Sequence, residues 1–287
     1  MSTTIHPAAH IGAVALAVSD LERAARFYTH TLGLQELTPA VNGWRSFGAG
    51  ERALVRLTAA LGAPLDPRLP GLFHMAIRLP GRFELARVLY QLAETSYNLQ
   101  GASDHGVSEA LYLADPLRTG IELYTDRAKG DWPRDEQGEL EMVTQALNLD
   151  RLLFELKGKL ESWQGIDPHT VMGHVHLQVN EIATAEHFYT QIIGLELQQR
   201  YGRQASFLSA GGYHHHVGIN TWNSNNAPPA PEDAAGLRYF ELLLPDTASL
   251  AEVSGRVEAA GLPMTGLDGG QLVKDPAGNG ILLKLEG

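Results

Sequence analysis

The chain has 287 residues, a formal net charge of -11 and no cysteine. Its length exceeds one ordinary domain and can bury a sizeable core. The missing cysteines exclude disulfides, a thiolate nucleophile and Cys-ligated zinc or iron–sulfur centres, so a metal would have to bind through His, Asp, Glu or main-chain oxygen. The acidic balance, without any basic stripe, argues against a nucleic-acid partner. Apolar stretches are short and broken by Gly, Pro or charge, which argues against a membrane span. The opening MSTTIHPAAH lacks the basic start and apolar run of a secretory signal. The expectation is a cytoplasmic protein acting on a small molecule.

In chain order, Val14, Leu16 and Val18 alternate as in a half-buried strand. Asp20 offers a helix cap, Leu21, Ala24, Ala25 and Tyr28 share one helical face, and Gly33 ends the helix. Gln35–Thr38, Ser46–Phe47 and Ala53–Leu57 read as short strands split by turn residues. The unit is therefore strand, helix, then about three strands. Residues 71–126 repeat it, with Phe83–Ala93 as helix and Ala110–Leu113 and Gly120–Tyr124 as late strands. Residues 127–170 match nothing else, and the helical spacing of Leu147–Leu160 predicts a helical connector. Two further units occupy about 172–222 and 236–286. Pro-, Asn- and Gly-rich loops at 62–71 and 223–236 join the units inside each half. The halves are thus 8–126 and 171–287.

The internal match is direct. Residues 13–34, AVALAVSDLERAARFYTHTLGL, align without a gap on 174–195, HVHLQVNEIATAEHFYTQIIGL; GLFHMAIRLP (71–80) aligns on GLRYFELLLP (236–245), and DPLRTGIELY (115–124) on DPAGNGILLK (275–284). Three mismatches stand out: Ala13 against His174, His74 against Tyr239, and Glu122 against Leu282. A duplicated scaffold that keeps two histidines and one carboxylate, each in one copy only, points to a single retained metal site. Phe27–Tyr28 and Phe188–Tyr189, repeated at the helix ends, are expected in the core.

The pattern H-V-x-L-x-V, then an amphipathic helix ending F-Y-x-x-x-[LI]-G-[LF], then a late D-P-x-x-x-G-I-E-L, resembles the vicinal oxygen chelate superfamily of glyoxalases, bleomycin-resistance proteins and extradiol dioxygenases. The resemblance covers nearly all of the chain outside 127–170. DHGVSEALYLADP (104–116) and SAGGYHHHVGIN (209–220) are most similar to two-domain catechol 2,3-dioxygenases. It implies an α+β chain of four βαβββ modules that form two open β-barrels. It also implies first-strand histidines at His74 and His174 and a last-strand carboxylate at Glu122 as metal ligands. In many two-domain extradiol enzymes all three ligands lie in the C-terminal half. Here His74 and Glu122 lie in module 2 and His174 in module 3, so module 2 must pair with 3, and module 1 with 4. Ala13, Tyr239 and Leu282 then meet in a vacant barrel.

Two neutral imidazoles and one carboxylate make the facial set of non-haem Fe(II) oxygenases. Fe(II) is the metal implied, with Mn(II), Zn or Ni as alternatives. Glu122 lies between Ile121 and Leu123 and points opposite to both; inward, it needs a metal or a partner, and the alternative places it in solvent. By similarity His215 is the active-site histidine, Tyr112 holds a substrate oxygen, and His105 is a second active-site histidine. Alternation on a strand would put His214 and His216 on one face and His215 on the other. The alternatives are a merely His-rich strand and a cross-strand packing tyrosine. His176 shares the face of His174 and could border the pocket or compete as a ligand; Trp222 could wall it. The activity implied is ring cleavage of a small aromatic substrate with O2, in a chain whose sheet edges also allow a homo-oligomer. A Zn or Ni glyoxalase- or epimerase-like enzyme and a metal-free binding protein are the competing readings.

Overall fold

The computed structural model describes residues 4–41, 43–159 and 161–287. Module 1 contains β1 (His10–Val18), α1 (Leu21–Arg26), β2 (Gln35–Val41), β3 (Trp44–Ala49) and β4 (Arg52–Ala59). Module 2 contains β5 (Gly71–Arg78), α2 (Arg82–Glu94), β6 (Gly101–Asp104), β7 (Ser108–Ala114) and β8 (Gly120–Asp126). The connector carries β9 (Gln145–Ala146) and α3 (Leu149–Leu153). Module 3 contains β10 (Val171–Gln178), α4 (Ile182–His187), β11 (Glu196–Tyr201), β12 (Ala205–Ser209) and β13 (Val217–Asn220). Module 4 contains β14 (Gly236–Leu244), α5 (Thr247–Ala259), β15 (Thr265–Leu267), β16 (Gly270–Lys274) and β17 (Gly280–Leu285).

The helices start where the sequence offers caps. The side chain of Asp20 accepts from the backbone N–H of Arg23, and that of Asp246 from Ser249. After α1 and α4 the chain widens into a π-helical turn over Phe27–Thr31 and Phe188–Ile193. Gly33 and Gly194 then take left-handed conformations, φ +75° and +94°, that a side chain would resist.

The strands form two sheets. One runs β15-β16-β17-β14-β1-β4-β3-β2, the other β11-β12-β13-β10-β5-β8-β7-β6-β9. Module 1 therefore pairs with module 4 and module 2 with module 3, as the distribution of the three candidate ligands required. Each seam is antiparallel, β1 on β14 and β10 on β5. Within a module the first strand runs parallel to the last. Val14, Leu16 and Val18 are buried, and one continuous apolar core runs through both sheets and includes Phe27, Tyr28, Phe188 and Tyr189.

The connector is helical only in part. α3 and the tight turn at Phe154–Leu156 fall inside the Leu147–Leu160 stretch read as helical, a further single turn spans Lys129–Asp131, and β9 adds to the edge of β6. Pro133 and the glycines at 130 and 138 interrupt its first half. Further on, backbone groups of Val143 and Leu147 bond to His105 and Ala102, an edge pairing that helix would forgo.

The halves are also tied internally by the two motifs that repeat most closely. Tyr28 donates to Asp115 (3.3 Å) and Tyr189 to Asp275 (3.1 Å). The other oxygen of each aspartate accepts two backbone N–H groups of the turn behind it: Leu117 and Thr119 in one copy, Ala277 and Asn279 in the other. Sheets join modules across the halves, and these tyrosines join them within the halves. Tyr189→Phe should cost ~1–3 kcal/mol in urea unfolding, the range for a buried hydrogen bond to a carboxyl group. Tyr28→Phe, at the longer contact, should cost less.

Candidate metal centre and cavity

The β10–β5 seam sets the site. Its register places His174 opposite Ala76 and His176 opposite His74. On the other side of β5, Ala76 lies beside Glu122 and His74 beside Gly120; Glu122 in turn faces Tyr112 on β7. His174, Ala76, Glu122 and Tyr112 thus form one row across four strands. Ala76 has no side chain beyond Cβ, so the groups on either side meet: His174 Nε2 lies 3.3 Å and His74 Nε2 3.1 Å from the same oxygen of Glu122. The ligand atoms of the three residues all lie within 4.8 Å of one another, and all three residues are buried. Gly120 is required beside His74, because a Cβ there would fall 2.2 Å from the carbonyl oxygen of Phe73.

Burial controls the electrostatics. It depresses the pKa of His174 to about 4 despite the opposing attraction of Glu122. It likewise holds His176 and His215 well below the usual imidazole range, with neighbouring histidines adding to the effect. Burial works to raise the Glu122 carboxyl, but the two imidazoles around it hold it well below the ordinary carboxylate range. The result is neutral imidazole nitrogen and ionised carboxylate, the protonation states a divalent cation binds. The Nε2 of His74 lies 3.1 Å from Glu122 yet makes no well-aligned hydrogen bond. A buried nitrogen and a buried carboxylate held close without an aligned bond fit a shared cation.

His74 and Glu122 open onto a cavity of about 380 Å³, and His174 sits behind its wall; the volume is within the size range of small-molecule sites. Phe73, Phe207 and Trp222 wall it, with His176 between them: its ring centroid lies 5.3–5.7 Å from each. Trp222 stands at the rim, 41% exposed. His215 lines the cavity and packs against the His174 ring at 4.0 Å between centroids. Tyr112 also lines it, and its hydroxyl meets His105 Nε2 at 2.7 Å. His105 Nδ1 lies 2.7 Å from the carbonyl oxygen of Val143. A carbonyl only accepts, so Nδ1 carries the hydrogen and, in a neutral ring, Nε2 accepts the Tyr112 proton. Burial, then the charge of Glu122, pushes the Tyr112 phenol well above its normal range, so it stays protonated. The connector closes the cavity: the Gln199 side chain accepts from Met142 N and donates to Met142 O.

Among the described residues the equivalent barrel shows no such centre. Ala15 lies opposite Tyr239, and Glu241 beside Leu282. Where the metal candidate has Ala76 in mid-row, this sheet has Glu241, held by Arg56 (3.0 Å), Lys284 (3.3 Å) and the backbone N–H of Ala13 (3.1 Å). A carboxylate taken up by two cations and an amide fills the space between the former ligand positions.

A family model for the glyoxalase/bleomycin resistance protein/dioxygenase superfamily matches residues 10–123 and 171–283. The chain belongs to that superfamily. Among curated relatives of this superfamily member is a catechol-2,3-dioxygenase of Bacillus subtilis strain 168, 39% identical over 277 residues that make up 96% of each chain. Solved structures share the fold at low identity. A candidate dioxygenase of Bacillus subtilis superposes with a TM-score of 0.66 at 12% identity, over 99% of this chain and 86% of its own. Glyoxalase I from Zea mays gives 0.57 at 15% identity, over 96% and 92%.

His74, Glu122 and His174 come together as the superfamily pattern implied, and Glu122 is buried rather than solvent-facing. His215, Tyr112 and His105 all reach the same cavity, and His176 borders it. The Tyr213–His216 run does not lie on a strand: β13 starts only at Val217. Gly211 and Gly212, both at positive φ, turn the chain so that the histidines sit on an irregular approach to it. His216 lines the groove between the two sheets, not the metal cavity, and its Nδ1 accepts from the backbone of Ala210. Sequence reasoning missed Asp126, Arg78, Tyr124 and Tyr213 behind the centre. The signal available was Asp126 itself, a carboxylate two residues past the buried Tyr124.

Burial also sets a pH dependence. His174 and His216 titrate at about 4 and about 3 in the native protein, against about 6.5 unfolded. Below pH 6.5 the unfolded chain takes up protons that the native one does not, so stability falls as pH falls, by about 1.4 kcal/mol per pH unit for each such histidine. Urea unfolding of metal-stripped protein should show full stability above pH 7 and a steep loss between about pH 6.5 and 4.

Proposed function

We propose that this protein is an Fe(II)-dependent extradiol dioxygenase that opens a catechol ring beside its hydroxyls, with both atoms of O2 entering the product. The observation that carries the reading is the number of protein ligands. In module 3 the position equivalent to Glu122 lies opposite His176, and it is Gly218. A glyoxalase-type centre needs a second carboxylate there to serve as ligand and base. Here the site offers His74, Glu122 and His174, and the space at Gly218 is taken by the His176 ring, which a Cβ would meet at 2.9 Å. Three ligands leave room on a cation for both catechol oxygens and O2.

Fe(II) held by these three residues would supply the Lewis acidity and the one-electron chemistry that bring a catecholate and O2 together. The remaining work falls to the protein. Phe73, Phe207 and Trp222 give the cavity an aromatic wall that packs against an aromatic ring and excludes water from it. Tyr112 donates to His105, which leaves its oxygen free to accept from a substrate hydroxyl. His215 is a neutral imidazole at the cavity wall, suited to accept a proton. Among the described residues that line the cavity none is Lys or Arg, so the ring substituents accepted are uncharged and apolar rather than carboxylate-bearing.

Anaerobic loading with Fe(II), then addition of catechol or an alkylcatechol in air, should give O2 uptake and a yellow ring-opened semialdehyde. His74→Ala and Glu122→Ala should abolish it together with iron retention. Tyr112→Phe should keep the iron and lower kcat by roughly 10²-fold. Failure of every catechol, with Zn or Ni retained tightly, would sink this reading in favour of isomerase-type chemistry.

A further inference from the structure

Behind His215 lies a chain of buried polar groups that metal binding does not use. His215 Nδ1 is 2.8 Å from His214 Nδ1, and His214 Nε2 is 3.0 Å from an oxygen of Asp126. His214 is fully buried. Asp126 belongs to module 2 and the histidines to module 3, so the chain crosses the seam on which the metal centre is built. The carboxylate is further held by Arg78 (3.1 Å) and by the Tyr213 hydroxyl (3.0 and 3.1 Å to its two oxygens), which also meets Tyr124 at 2.7 Å.

We propose that Asp126 and His214 are positioning residues that fix His215 as the tautomer whose Nε2 lone pair is free on the cavity side. An ionised carboxylate only accepts, so His214 Nε2 carries a hydrogen. The charge of Asp126 is already matched by Arg78, so the contact needs no second cation at His214. In a neutral ring with its hydrogen on Nε2, His214 Nδ1 is an acceptor. The hydrogen in the 2.8 Å contact then belongs to His215 Nδ1, and the opposite nitrogen, Nε2, is left unprotonated. Without the relay His215 is free to adopt the other tautomer, with Nε2–H, which donates and cannot take a proton. The logic is that of the buried aspartate in Ser–His–Asp hydrolases, where the carboxylate selects the tautomer of the working imidazole. Here a second histidine stands between the two.

The inference uses the extradiol reading only for its kinetic consequence: a hydroxyl O–H of the substrate breaks as the His215 Nε2–H forms. The tautomer can be read without substrate. Long-range 1H–15N correlation spectra of 15N-histidine-labelled, metal-stripped protein at pH 7.5 should show His215 protonated at Nδ1 and bare at Nε2. Asp126→Asn, whose amide can donate to His214, should shift His215 towards Nε2–H. A wild-type His215 already protonated at Nε2 would overturn the proposal, whatever the enzyme acts on. Kinetically, Asp126→Asn and His214→Leu should lower kcat for catechol cleavage by about 10²-fold or more with KM changed little. His214→Asn, whose carbonyl oxygen stands near the place of Nδ1, should recover part of the loss. In a His215→Ala background Asp126→Asn should add almost nothing. An equal fall in that background would make Asp126 a structural residue only, and would overturn the proposal even with the fold intact by circular dichroism.

Discussion

Everything functional in this molecule depends on the antiparallel seam between β5 and β10. That pairing sets His176 against His74 and His174 against Ala76. It also brings Glu122 and Asp126 of one module up to the histidines of the other. A strand register is all-or-none with respect to faces: a slip by one residue would turn the inward histidines outward. The apolar residues of the seam, Met75, Ile77, Val175 and Leu177, are buried on the opposite face and enforce the register. Core packing and ligand placement are thus two outcomes of the same alternation.

The site is then tuned by exclusion of water more than by any single charge. Imidazoles crowded into a buried cluster cannot all be protonated, and desolvation keeps His174, His176 and His215 neutral. The one carboxylate among them, Glu122, stays ionised because two imidazoles surround it. Further back, Asp126 is treated differently: burial works to raise its pKa, but His214 and Arg78 hold it down. Two carboxylates on one strand, Glu122 and Asp126, thus face a cation site and a hydrogen-bond relay respectively. They share the inward face because they lie four residues apart on a period-two strand.

Much of this was legible in the sequence because the chain carries its own control. Two copies of one pattern mark what the scaffold needs, and the differences at Ala13/His174, Tyr239/His74 and Leu282/Glu122 mark what the site needs. The requirement that the three unmatched residues meet also predicted the pairing of modules across the halves. Features without an internal reference were harder to see. Within the connector Leu147–Leu160 reads as helical by spacing and holds α3, yet Met142 and Val143 before it are tied to Gln199 and His105 through contacts no local pattern encodes. The relay through His214 needed the kink at Gly211 and Gly212, which alternation on a straight strand could not anticipate.

The cross-paired sheets have a consequence for how the molecule is made. As the chain emerges from the ribosome, β5 must wait for β10, about a hundred residues later. β1 must wait for β14, a partner separated by 228 residues at the Ala13–Glu241 contact. Until β10 and β14 have been made, the N-terminal half presents two open strand edges, the template for misassociation with a neighbouring chain. Contacts of such long range close slowly. The Tyr28–Asp115 tie needs only the first half of the chain, and it is able to hold modules 1 and 2 together while the sheets are still incomplete.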